Sequence, residues 1–112
     1  MSNQVITSEL LKDDPDLVDL IDRFLSRLLD MQEKIIKAHD EEDWETFLSL
    51  VHQMKGVGGN YGYPMLTTLC ADIELKAKEE KYSEVSDKLI QFKLTCEQIL
   101  AGKDDNHKLA KQ

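Results

Sequence analysis

Apolar side chains recur along this chain at steps of three and four. Leu17, Leu20, Ile21, Phe24, Leu28, Met31 and Ile35 make a first such series, the signature of an amphipathic helix with one inward face. The triplet "DDP" ahead of it supplies a start: Asp14 as N-cap, Pro15 as the first helical residue, Asp16 in the first turn. This helix is expected to end near His39, before an acidic loop, "DEED". Asp43 can then cap a second helix built on Trp44, Phe47, Leu48, Val51 and Met54, fading between Gly58 and Gly62. Pro64 suits the first turn of a third, with Leu66, Leu69, Cys70, Ile73 and Ala77 inside. After the turn "EEKYS", Ser83 is the expected N-cap of a fourth helix carrying Val85, Leu89, Phe92, Cys96 and Ile99. Gly102 is expected to stop it from the C′ position.

No alternating strand pattern interrupts these series. Four amphipathic helices with short connections predict an all-α fold, an antiparallel up-down four-helix bundle. The organisation expected is an N-terminal arm over residues 1–13, with a helical turn around Glu9–Leu11, a bundle over 14–102, and a polar tail over 103–112 that frays. His107, in that tail, is expected to be solvated. The length suits one domain, and a monomer is the expectation for so small and charged a bundle.

Charge narrows the partners. The formal net charge is −8, and it is uneven: residues 1–50 hold 5 basic and 13 acidic side chains, residues 51–112 hold 9 of each. Such a balance repels nucleic acid and anionic membrane surfaces. Cys70 and Cys96 sit within apolar series without CxxC spacing and read as buried thiols. With no long apolar stretch and no signal-peptide pattern, a reducing cytoplasm is the expected location.

Candidate chemistry concentrates in "HQMKGVGGNYG", residues 52–62. At about 100° per residue, Phe47, Val51, Met54 and Gly58 share the core face, and His52 falls roughly 120° away, toward solvent. Its neighbours on the helix surface are Lys55, Gly56 and Gly59. An imidazole is a competent nucleophile near neutral pH, a lysine offers a point charge to phosphate oxygens, and glycines leave room for a large substituent or another backbone. The set suits a histidine that becomes phosphorylated. Other chemistries fail on inventory. A di-iron bundle needs Glu-x-x-His pairs, and Ile36 and Ser49 stand three residues before His39 and His52. The glycine run lacks the spacing of a phosphate-binding loop and has no strand before it.

These residues resemble the histidine phosphotransfer (HPt) family, whose pattern has His, then Lys at plus three, Gly at plus four and at plus ten, spaced apolar residues, and a polar residue near plus twenty-two. Here the positions hold His52, Lys55, Gly56, Gly62, Leu66, Leu69, Cys70, Ile73 and Glu74. Val51 stands where a small residue is common and Met54 where leucine is usual, and neither change removes a chemical group. The resemblance implies that His52 accepts a phosphoryl group from a receiver-domain aspartate and passes it to another receiver. It implies that Lys55 steadies the phosphoryl oxygens and that Glu74 orients the imidazole. It further implies partners that are response-regulator receivers and a hybrid sensor kinase, a divalent metal on the receiver, and no cofactor or ATP site in this chain. Docking is expected around Gly56 and Gly59, with Val57, Tyr61 and Met65. The rival reading is a helical module that binds and sequesters a receiver or kinase without turning over phosphate.

Overall fold

The computed structural model describes residues 4–111, and the regular structure among them is entirely helical. Helix α1 spans Val18–Asp40, α2 Trp44–Gly58, α3 Pro64–Lys78, α4 Tyr82–Ala101 and α5 Lys103–Ala110, with 3-10 turns at Glu9–Lys12, Pro15–Leu17 and Gly59–Tyr61. The helices pack as a bundle around one core that includes Phe24, Phe47, Tyr63 and Phe92, all essentially inaccessible to solvent.

Side-chain caps start the turn before α1 and helix α2, α3 opens on Pro64, and packing holds them all. Asp14 caps the turn at Pro15, its carboxylate accepting from the Asp16 amide at 3.2 Å, so α1 proper begins only at Val18. Asp43 caps α2 through the Thr46 amide at 3.3 Å. A cap of this kind contributes about 1 kcal/mol, against about 1.5–3 kcal/mol for each fully buried Phe or Leu. The arc that α1 buries is narrower than its sequence suggests. Leu20, about 80° from Leu28 at the centre of the face, is 42 % exposed, while Ala38 at the same angle near the other end of α1 is buried, so the arc narrows toward the start of the helix.

The helix ends follow from specific backbone states. Glu42 and Glu80 take positive φ (54° and 59°), and the next amides, of Asp43 and Lys81, each reach back 2.9 Å to the carbonyls of Ala38 and Lys76. This is the left-handed helix stop that glycine usually fills. Since Lys81 completes it, α4 begins at Tyr82 with Lys81 in the N-cap position and no side-chain cap; the expectation of Ser83 there is corrected. Between α2 and α3, Gly62 supplies a φ of 88°, and a Cβ there would collide with Ser8 Oγ and the Glu9 backbone.

Over its described residues the C-terminal tail is not frayed. Residues Lys103–Ala110 form α5, which packs on α1 and the N-terminal arm. Its anchor is Asn106, fully buried: Oδ1 accepts from the Ser8 amide at 2.9 Å, and Nδ2 donates to Tyr63 Oη at 3.2 Å. His107, expected in solvent, lies 2.6 Å from Asp22 Oδ2 through Nε2. Gly102 has φ −84° and joins α4 to α5 rather than ending the bundle in a left-handed turn; a Cβ there would strike the Ile6 carbonyl. No helix among the described residues is long and apolar enough to cross a membrane.

Candidate functional site

Helices α2 and α3 approach closely because glycine and threonine let them. A Cβ on Gly58 would stand only 3.1 Å from Leu66 Cβ. Thr67 Oγ1 accepts from the Gly59 amide at 2.8 Å and donates to the Lys55 carbonyl at 2.9 Å. This stitching fixes the register in which Glu74 of α3 lies across from His52 and Lys55 of α2.

The three side chains converge. His52 Nδ1 is 2.9 Å from Glu74 Oε2, and Lys55 Nζ is 2.6 Å from Glu74 Oε1. A carboxylate can only accept, so Nδ1 carries the hydrogen and donates it, and the lone pair is left on Nε2. The imidazole is 66 % exposed while the Glu74 side chain is only 8 % exposed. The ring faces water and its holder does not. Burying a carboxylate is costly unless it is paired, and this one has a further partner that the sequence analysis missed: Lys78 Nζ at 3.5 Å, one helical turn beyond Glu74. The signal was the four-residue spacing. The hydrogen bond from Lys55 is the chief reason the Glu74 carboxyl is held below its usual range; burial opposes it, and His52 and Lys78 add to it.

Of the residues expected at a docking surface, Gly56 and Gly59 differ. A Cβ on Gly56 would meet nothing within 4 Å, whereas one on Gly59 would press on Thr67 Oγ1 at 3.3 Å. Internal packing therefore accounts for Gly59 and gives no reason for Gly56. Val57 and Tyr61 are half-buried on the opposite flank of α2 from Lys55, where Tyr61 stacks on Phe24 of α1 with ring centres 4.5 Å apart. Met65 is half-buried and lines a cavity of about 570 Å³ with the N-terminal arm and Leu109. These three surround the end of α2 rather than the imidazole itself.

The remaining titratable groups of the core are inert. Both cysteines are free and buried, and burial pushes the Cys70 thiol up to about 12 and Cys96 also upward. No group of three or more His, Cys, Asp or Glu among the described residues is placed to hold a metal ion. Compared with curated proteins and with solved structures, the chain gives no match. A family model described as Hpt domain matches residues 19–102, which takes in nearly all of α1 to α4 and leaves the arm and α5 outside.

Proposed function

The chain belongs to the Hpt family of histidine phosphotransfer domains, and from that premise we propose that it is a phosphorelay intermediate, taking a phosphoryl group onto His52 from the aspartate of one receiver and giving it to another. Hpt domains are phosphocarrier modules of two-component signalling that interact with response-regulator receivers and have no ATP site of their own. The observation that carries the assignment to His52 is the pairing of an exposed ring, tied down through Nδ1, with a buried carboxylate. An antiparallel up-down course of α1 to α4 belongs to the same reading, supported by the short links at 41–43, 59–63 and 79–81.

In the transfer, Nε2 attacks phosphorus as the bond to the aspartyl oxygen breaks and the carboxylate leaves, with charge spread over the equatorial oxygens. The ring gains positive charge as the N–P bond forms, and Glu74 stabilises it through Nδ1–H. Lys55 has three N–H donors, of which one serves Glu74; the others are free for phosphoryl oxygens. Gly56 leaves room for the incoming backbone. A divalent ion is expected on the receiver.

The test is a panel of receiver domains charged with acetyl phosphate and mixed with the chain. Acid-labile, alkali-stable label on the wild type, absent from His52→Gln, is expected. A wild type that binds receivers but takes no label from any of them would replace the relay with a sequestering module.

A further inference from the structure

Arg23 and Arg27 are the two arginines of the chain. Both are exposed on α1, one turn apart. The ion pairs formed among the described residues all use lysine or histidine as the cation, so neither guanidinium has a carboxylate partner there. Yet acid is plentiful: residues 1–50 contain 13 Asp and Glu. Of the nearest acids in sequence, Asp30 pairs with Lys34 at 3.0 Å and Asp22 with His107 at 2.6 Å, while Asp19, one turn before Arg23, is exposed and forms no ion pair among the described residues.

Their position gives the pair a use. Phe24 stacks on Tyr61, so that flank of α1 faces α2. By the helical step, Leu20 stands about 40° and Arg27 about 60° outward of Phe24 on the same flank, with Arg23 further out. The α2 side of this strip is Val57 and Tyr61, both half-buried. Next to Val57 comes Gly56, beside which nothing is packed, and one helical turn before Gly56 comes His52. Phe24 meets Tyr61 while His39 meets Trp44, so along the oppositely running α1 and α2 Arg27 stands nearest the level of Val57, with Arg23 one turn and Leu20 two turns further from His52. The strip thus runs from two unpaired guanidiniums, over Val57, across bare backbone, to the open imidazole. An apolar middle with a charged rim is the anatomy of a protein–protein contact.

We propose that Arg23 and Arg27, beside Val57 and Tyr61, form the edge that selects the receiver, the guanidiniums pairing with carboxylates beside its phosphorylated aspartate. This rests on the relay reading above. A partner that carries an aspartyl phosphate is anionic at its docking end by its chemistry, and the arginines answer that charge in an otherwise acidic half of the molecule. Guanidinium geometry also favours two-point pairing with carboxylates, which lysine does not reproduce. Rim charges of this kind act chiefly on encounter rate and its salt dependence.

The experiment uses the receiver that transfers fastest to the wild-type chain in the panel above. R23E/R27E is compared with K93E/K103E, which makes the same change in net charge at exposed positions on α4 and α5. R23E/R27E is expected to lower kcat/KM about tenfold at low ionic strength, to leave kcat at saturation unchanged, and to flatten the salt dependence. The control pair should change kcat/KM less than twofold, and R23K/R27K should restore part of the loss. Equal behaviour of R23E/R27E and K93E/K103E would overturn the proposal, as would a loss that falls in kcat. Failure of the relay reading itself would show differently, as a wild type that no receiver labels.

Discussion

Among the described residues two histidine–carboxylate pairs join different helices, and they are built in opposite senses; a third, His39 with Asp40 at 3.5 Å, lies between sequence neighbours. At His52 the ring is tied through Nδ1 to Glu74, the acid is buried, and two lysines attend it. At His107 the ring is tied through Nε2 to Asp22, the side chains are 37 % and 22 % exposed, and the second Asp22 oxygen is buried without a partner. The first arrangement presents the outer nitrogen to solvent. The second spends that nitrogen on fastening α5 to α1, leaving only the nitrogen nearer the backbone. His39 also uses Nε2, toward Ser86 Oγ at 3.1 Å. Which nitrogen stays open follows from which is tied, and among the described residues only His52 leaves Nε2 without a hydrogen-bond partner.

The sharpest way to break this contrast is to remove each ring in turn. His52→Gln should abolish the acid-labile label completely, while His107→Gln should keep it and lower the melting temperature; label lost from the His107 variant would mean the two pairs are not functionally distinct. Next in size, Lys55→Ala should slow transfer from a phosphorylated receiver about tenfold to a hundredfold, with unchanged circular dichroism. An unchanged stopped-flow rate would take Lys55 out of the mechanism. Asn106→Ala probes the structural pair's surroundings. It leaves the buried Ser8 amide and Tyr63 hydroxyl without a partner, so chemical denaturation should show a loss of about 1–3 kcal/mol while labelling of His52 proceeds at the wild-type rate.

The smallest effect concerns acid. The Glu74 carboxyl is held below its unperturbed value of 4.5, so its stabilising contribution is fully present above that value and is lost as pH falls through the lower folded value. Wild-type melting temperature should therefore drop on acidification below about pH 4.5, and Glu74→Gln should show a shallower slope. Identical slopes would mean the carboxylate adds nothing to folding stability.

Much of this was legible in the chain itself, for definable reasons. Helices α1 to α4 announce themselves because their anchors are apolar and periodic, while the meeting of Glu74 with His52 and Lys55 was implied by the family resemblance, the count of turns along α3 being compatible with it. Helix α5 escaped because its anchors are polar: nothing in "KDDNHKLAKQ" shows that Asn106 has an amide waiting for it 98 residues away and a phenol 43 residues away. Lys78 was overlooked although its spacing from Glu74 was visible. Val57 and Tyr61 lie toward α1 because helical spacing gives a side chain's angle on α2 without saying which neighbour packs there. The lack of any internal need for a glycine at 56 is likewise a property of surrounding space, which only coordinates reveal.

The hydrogen bond from the Ser8 amide to Asn106 spans 98 residues of sequence. Closing so long a loop costs chain entropy that contacts between neighbouring helices do not, so this bond is expected to form after α1 to α4 have collapsed. Until then, the amide of Ser8 and the hydroxyl of Tyr63 must satisfy themselves with water. The loop around Gly62, which Ser8 and Glu9 also hold, gains its second brace only when α5 docks.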